Sequence, residues 1–142
     1  MKFLLDTDHI SILQRQAGPE FAVLVARIGQ HPPDDLAFSV VSFQEQVLGC
    51  HTYLSRARTS AEITRGYAML ARVREDFCEA QMLPFDAQAA AILDGLAAQR
   101  VRLAAMDLRI ACIALSRDLR VLTRNTRDFG RVPGLVTEDW TI

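Results

Sequence analysis

The chain has 142 residues, a length that fits one domain with a substantial hydrophobic core. Half of the residues are hydrophobic, 23% are charged and the net charge is −1, which is typical of a globular protein and argues against a general nucleic-acid coat protein. No uncharged apolar run approaches the roughly 20 residues of a membrane span, and the first apolar run is too short for a signal-peptide core. We therefore expect a single domain over residues 1–142 and no membrane partner.

The alternation of short apolar runs with longer amphipathic segments predicts strands separated by helices. The predicted strands cover residues 2–5, 36–41, 81–85, 119–123 and 135–138. The predicted helices cover residues 9–16, 19–30, 43–58, 61–79, 87–99 and 106–117, with a turn or short helix over 125–129. Strands joined in this way pair in parallel through right-handed crossovers, so the expected fold class is α/β, with helices on both faces of a sheet of four to five mostly parallel strands.

Side chains suited to capping precede several of these helices. Thr7 or Asp8 is expected to cap the first helix, Ser42 the third, and Asp86 the Ala-rich helix that follows it. Asp8, Asp86 and Asp118 fit ordinary caps or turns.

The three cysteines, Cys50, Cys78 and Cys112, are odd in number and widely spaced, without a C-x-x-C pair. Neither they nor the three histidines have the spacing of zinc ligands. We expect reduced thiols in a cytoplasmic protein.

Three acids stand where an apolar segment ends or a helix begins: Asp6, Glu45 and Asp107. Burying an unpaired carboxylate is costly, so acids at such places are usually neutralised by a partner or by a cation. The carboxyl ends of parallel strands meet at one crevice of an open α/β sheet. Three acids converging there would form a site for Mg²⁺ or Mn²⁺.

Each acid also has a purely structural explanation. Asp6 could cap the helix that follows it, and Glu45 could complete a capping box with Ser42. Asp107 lies in the first turn of a helix, where the dipole favours a negative charge. Spacing alone leaves both readings open for all three.

Arginine is concentrated in the last third of the chain. Residues 100–131 contain eight arginines and three aspartates, a local net charge of +5. Such a surface beside an acidic pocket suits a polyanionic substrate, although solvated helix faces explain it equally well.

Five segments match one family in the right order: residues 3–8 (FLLDTD), 39–45 (SVVSFQE), 106–111 (MDLRIA), 122–129 (LTRNTRDF) and the tail from 132 to 140. With them the chain resembles the PIN-domain ribonucleases, specifically the VapC-type toxins of bacterial toxin–antitoxin pairs. The resemblance covers the whole chain. It implies a PIN-like three-layer fold and a metal-dependent endoribonuclease that hydrolyses RNA with an activated water.

Carried over by position, Asp6, Glu45 and Asp107 fall on the acidic cluster of the family. The resemblance implies that these three bind Mg²⁺, with Mn²⁺ as a substitute. A fourth site residue follows the Thr-containing strand, and either Asn125 or Asp128 occupies that place.

The resemblance also assigns supporting residues. Thr7 and Thr123 stand where hydroxyls orient carboxylates or metal-bound waters. Within the arginine-rich segment, Arg124 and Arg127 flank Asn125, and for this reason we expect them to contact RNA. The implied partners are a cognate antitoxin and a second copy of the chain in a homodimer.

Two other functions are compatible with parts of the sequence. A catalytically inactive PIN-like module could bind RNA or protein through a vestigial site. An aspartyl-phosphate phosphatase would use Asp6-x-Asp8 after an apolar strand, but such enzymes need a lysine far downstream, and Lys2 is the only lysine here.

Overall fold

Short strands alternate with helices along the chain in a computed structural model that describes residues 1–142. The strands are β1 Phe3–Leu5, β2 Leu36–Ser39, β3 Met82–Leu83, β4 Arg120–Leu122 and β5 Thr137–Glu138. The helices are α1 Thr7–Arg15, α2 Pro19–Ile28, α3 Val40–Arg56, α4 Ser60–Glu79, α5 Ala87–Ala98, α6 Ala105–Ser116 and α7 Thr126–Phe129. A 3-10 turn at Pro33–Asp35 precedes β2.

The five strands form one sheet in the order β3-β2-β1-β4-β5, and every neighbouring pair is parallel. Leu4 in the central strand is in register with Ala37 of β2 and with Val121 of β4. This confirms the predicted α/β class and the parallel sheet. Because the strand order reverses between β1 and β4, a crevice opens at the carboxyl ends of these two strands.

Alternating side chains of β1 point to two separate cores. Leu4 packs with Val121 and with the fully buried centre of α6, Ile110 to Ala114, on one face of the sheet. Phe3 and Leu5 pack on the other face, against apolar residues of α1, α2, α3 and α4. The sheet is therefore the middle of three layers, and the prediction of helices on both faces is confirmed.

The first helix begins earlier than the sequence suggested. Asp6, not Thr7 or Asp8, is the N-cap of α1, and its Oδ1 accepts a hydrogen bond from the Thr7 N–H at 2.8 Å. The predicted caps were wrong because β1 ends at Leu5, which leaves the extended residue Asp6 with its carboxylate over the first turn.

The third helix also begins early. Ser39 is its N-cap and accepts from the Ser42 N–H at 3.1 Å, so the helix starts at Val40 and the predicted strand is two residues shorter. Assigning this cap to Ser42 was wrong, since Ser42 lies inside the helix. Asp86 does cap α5, through the Ala89 N–H at 3.0 Å, as predicted.

All three cysteines are free thiols: Cys50 and Cys112 are buried and Cys78 is exposed. None of the helices combines the length and the apolar character that crossing a membrane requires.

Candidate active site

The candidate site lies at the carboxyl ends of β1, β2 and β4. Asp6 directly follows β1, and its backbone N–H donates to the carbonyl of Leu122, the last residue of β4, at 2.9 Å. Thr123 comes next and is fully buried. Ser39 ends β2 and starts α3, whose second turn carries Glu45.

Asp6 is buried without a cationic partner. The residue is only 6% exposed; Oδ1 accepts from the Thr7 N–H and Oδ2 from the Thr123 hydroxyl, each at 2.8 Å. Burial, followed by the negative charge of Asp8, raises the pKa of Asp6 from 3.8 to about 7, although the two hydrogen bonds act in the opposite direction. Its ionised form is therefore poorly compensated by the protein.

Glu45 is held by a residue of α1. Its Oε1 accepts from the Thr7 hydroxyl at 3.0 Å, and the same hydroxyl lies 2.9 Å from Oγ of Ser42. The capping-box explanation of Glu45 is wrong, because Ser39 provides the cap. Burial, and after it the negative charges of Asp107 and Asp8, raise the pKa of Glu45 against the lowering effect of the Thr7 hydrogen bond.

Asp107 lies in the first turn of α6, a helix whose N-cap, Ala104, provides no side-chain hydrogen bond. No hydrogen bond or ion pair engages the Asp107 carboxylate. Burial, with the nearby charges of Asp128 and Asp8, raises its pKa. This carboxylate is free to accept a ligand.

Asn125 and Asp128 reach the site together. The Asn125 side-chain amide donates to Oδ2 of Asp128 at 3.1 Å, and the Asn125 N–H donates to the Thr123 hydroxyl at 3.0 Å. Asp128 is close enough to raise the pKa of Asp107, and it also lies 3.6 Å from Arg131. The two candidates for the fourth position thus form one hydrogen-bonded pair beside the acids.

Asp8 also lies beside these acids, although an ordinary cap or turn was expected for it. Its Oδ2 accepts from the Arg124 N–H at 2.9 Å and lies 3.3 Å from the Thr123 hydroxyl, while its Oδ1 lies 2.7 Å from Nδ1 of His9. Burial alone would raise the pKa of Asp8, but these hydrogen bonds from His9 and Arg124 outweigh it and lower the pKa. Asp8 therefore remains charged and adds to the negative potential around Asp6.

No group of three or more His, Cys, Asp or Glu side chains is close enough to form a preassembled metal site. The acids do approach closely enough to raise one another's pKa values, and no lysine or arginine side chain neutralises Asp6, Glu45 or Asp107. An all-oxygen set of carboxylates and hydroxyls suits the hard cations Mg²⁺ and Mn²⁺, which retain several waters and need few direct protein ligands. The donor set therefore fits such an ion.

Half of the eight arginines between residues 100 and 131 pair with acids. Arg120 lies 2.6 Å from Glu138, and the pairs Arg117–Asp86, Arg124–Glu20 and Arg131–Asp128 are between 3.6 and 3.8 Å apart. Arg127 is exposed and has no acidic partner. Arg124 and Arg127 both lie beside Asn125 at the start of α7, next to the acids.

No family model matches the chain. Over 64 residues it is 42% identical to the tRNA(fMet)-specific endonuclease VapC of Shigella flexneri. That match covers 42% of this chain and 48% of the relative, so the chain spans about half the length of the curated relative that it matches.

Solved structures resemble the fold over nearly the whole chain. VapBC-1 from nontypeable Haemophilus influenzae superposes with a TM-score of 0.78 at 23% identity, covering 100% of both chains. DNA-bound VapBC from Salmonella typhimurium superposes with a TM-score of 0.75 at 26% sequence identity, covering 99% of this chain and 98% of that one. FitAcB from Neisseria gonorrhoeae superposes with a TM-score of 0.72 at 26% sequence identity, covering 99% of each chain. The chain has the fold of these VapBC and FitAcB structures and resembles the VapC endonuclease over part of its sequence.

The predicted resemblance to this family is confirmed, and so is the PIN-like fold. The structure brings together Asp6, Glu45, Asp107, Asn125 and Asp128, with Thr7 and Thr123 hydrogen-bonded to two of the acids. The catalytic and metal-binding roles of these residues stay predictions.

Proposed function

We propose that this VapC-type protein is a metal-dependent endoribonuclease and the toxin of a toxin–antitoxin pair. The observation that carries the proposal is the cluster formed by Asp6, Glu45 and Asp107 at the strand ends of a VapC-type fold. Burial and the negative charges of neighbouring acids raise all three pKa values, and no cationic side chain neutralises them. Such a cluster is unfavourable without a bound cation.

Asp6, Asp107 and Glu45 would hold Mg²⁺ or Mn²⁺. When bound, the ion would supply Lewis-acid chemistry, activating water and neutralising charge on a phosphodiester. The Thr123 and Thr7 hydroxyls donate hydrogen bonds to Asp6 and Glu45 and help to orient these two carboxylates. Glu45 would orient the attacking water, and hydrolysis by water would leave 5′-phosphate and 3′-hydroxyl ends.

RNA is the proposed substrate class. The Shigella flexneri relative is named as a tRNA(fMet)-specific endonuclease, which supports RNA over DNA. Arg124 and Arg127 would contact the RNA backbone, since both are exposed next to the acids. Contacts of this kind hold phosphates without selecting a sequence.

A cognate antitoxin is the proposed protein partner. The Haemophilus and Salmonella structures that share this fold are VapBC assemblies, and one is bound to DNA. We also propose that the chain forms a homodimer.

Mapping the ends of cleaved RNA tests the proposed activity. The purified chain should cut RNA in the presence of Mn²⁺, leave 5′-phosphates, and lose this activity after Asp6→Asn. Asp118→Asn is the matched control, because Asp118 is an exposed residue before β4, at the opposite end of the sheet. An Asp6→Asn variant that still cleaves would contradict the proposal, and a parent that binds RNA without cleaving it would favour the inactive module. A covalent, acid-labile phosphate on Asp6 would instead point to the phosphatase.

A further inference from the structure

A buried histidine joins the C-terminal segment to the acid cluster. His9 lies in α1 and has no solvent exposure. Its Nε2 is 3.2 Å from the Trp140 N–H and its Nδ1 is 2.7 Å from Oδ1 of Asp8. A backbone N–H can only donate, so Nε2 must accept, and the neutral ring carries its proton on Nδ1 and donates it to Asp8.

The hydrogen bond from His9 fixes the orientation of Asp8. With Oδ1 turned to His9, Oδ2 accepts from the Arg124 N–H at 2.9 Å. That amide belongs to the turn in which the Thr123 hydroxyl accepts from the Asn125 N–H at 3.0 Å and donates to Oδ2 of Asp6 at 2.8 Å. The chain of contacts therefore runs from His9 through Asp8 to the residues that surround Asp6.

We infer that His9 is a positioning residue, which through Asp8 holds the Thr123–Asn125 turn against Asp6. The inference rests on the proposed nuclease function, since the turn carries residues of that site. His9 is the only side chain that donates to Oδ1 of Asp8, so its loss leaves Asp8 free to rotate away from the Arg124 N–H. Supporting groups of this kind typically change activity roughly 10- to 100-fold.

The bond to Trp140 is less important for this role, because other contacts hold the C-terminal segment. Arg27 donates to the carbonyls of Asp139 and Ile142 at 3.2 and 2.7 Å. The Trp140 ring packs on Phe3 and His31 with centroid distances of 4.7 and 5.0 Å. The two nitrogens of His9 can therefore be tested separately.

Two substitutions each reproduce one nitrogen of the His9 ring and so test the two hydrogen bonds separately. In His9→Asn the side-chain amide can replace Nδ1 and still donate to Asp8, whereas the acceptor for Trp140 is lost. In His9→Gln the longer amide can reach the Trp140 N–H, whereas the donor to Asp8 is lost. Ile12→Val is the control, since Ile12 is a buried residue of the same helix outside the chain of hydrogen bonds.

The full-length variants are compared in two assays: RNA cleavage with Mn²⁺, and hydrogen exchange of the Arg124 amide in the metal-free protein. We expect His9→Gln to lower kcat roughly 10- to 100-fold with KM nearly unchanged, and to accelerate exchange at Arg124. We expect His9→Asn and Ile12→Val to stay close to the parent in both assays, with thermal melting reporting any general loss of stability.

Parental kcat and parental Arg124 exchange in His9→Gln would overturn the inference, as would equal losses in Ile12→Val. If the parent itself cleaves no RNA, the proposed function fails, but the exchange assay still tests whether His9 positions the turn through Asp8. Faster Arg124 exchange in His9→Gln than in Ile12→Val would then support the positioning role, and equal rates would overturn it.

Discussion

The Thr7 hydroxyl donates a hydrogen bond to Oε1 of Glu45 across 3.0 Å and so joins the start of α1 to the second turn of α3. The contact holds Glu45 near Asp107 and Asp8, whose charges raise its pKa, rather than at the start of its own helix. Because Ser39 already caps α3, Glu45 has no capping role. Its burial among other acids has no evident benefit for stability, which is typical of a residue retained for function.

Glu45→Gln should abolish RNA cleavage while leaving stability nearly unchanged. The amide keeps the size of the carboxylate and can still accept from the Thr7 hydroxyl, but it loses the negative charge. Cleavage rate and melting temperature measured on the same preparation separate the two effects. Full activity would remove Glu45 from the site.

Glu62→Gln is a matched control for this change. Thr59 caps α4 through the Glu62 N–H, and the Thr59 hydroxyl also donates to Oε1 of Glu62 at 3.1 Å, so Glu62 is a helix-start glutamate that accepts from a threonine hydroxyl as Glu45 does. The same isosteric change there should leave cleavage intact.

Millimolar Mn²⁺ should raise the melting temperature of the parent, because an ion that binds only the native state stabilises it by mass action. Asp6→Asn and Asp107→Asn should remove this shift. Both should also stabilise the metal-free protein, since each relieves repulsion among the acids. A parent whose melting temperature does not change with Mn²⁺ would contradict the metal-site assignment.

Without metal, the parent should lose stability as pH rises from about 4 to 7. The pKa of Asp6 is raised from 3.8 to about 7 in the native state, so the unfolded chain releases this proton first and binds fewer protons throughout that window. The raised pKa values of Glu45 and Asp107 act with the same sign. Denaturant titrations in EDTA should show that the unfolding free energy falls less steeply with pH in Asp6→Asn, and as steeply as in the parent in Asp118→Asn. A parental slope in Asp6→Asn would show that Asp6 titrates normally.

The strand-end position of Asp6 was predictable because an apolar run followed directly by an acid is a local signal, and parallel pairing then follows from the strand–helix alternation. The role of Asp8 was not predictable. One of its partners is the backbone N–H of Arg124, 116 residues away, and a contact with a backbone amide cannot be predicted from the residue type. The same holds for His9, whose acceptor nitrogen faces the N–H of Trp140.

The start of α3 shows a second limit of local reasoning. Ser39 and Ser42 are both good caps, and the β-branched pair Val40-Val41 between them favours a strand. The ambiguity is resolved in three dimensions, where Ser42 Oγ lies 2.9 Å from the Thr7 hydroxyl inside the site. Ser42 and Glu45 are three residues apart in this helix, so they lie on one face, and both contact the Thr7 hydroxyl.

The chain should run near twice its 15.8 kDa mass in light scattering. Helices α2 and α4 expose apolar side chains that a second copy could cover: Val23, Val25, Ile63, Tyr67 and Met69. Burial of such a surface would favour association. A dilution series from high to low micromolar concentration checks this, and a clean monomer throughout would count against a homodimer.

Arg127→Ala should weaken RNA binding without affecting the Mn²⁺-induced shift in melting temperature. Arg127 is exposed, lacks an acidic partner and stands beside Asn125, so its guanidinium is available to a phosphate. Losing one phosphate contact should reduce the slope of log affinity against log salt by about one. Arg124→Ala should act in the same direction, since its exposed pair with Glu20 at 3.8 Å is weak and RNA can replace it.

Arg117→Ala is the control, because Arg117 pairs with Asp86 and precedes β4, away from the strand ends that carry the acids. Binding is measured in an Asp6→Asn background across a range of salt concentrations. Parental affinity and slope in both the Arg124 and Arg127 variants would mean that RNA is held elsewhere and that these arginines are a solvated surface.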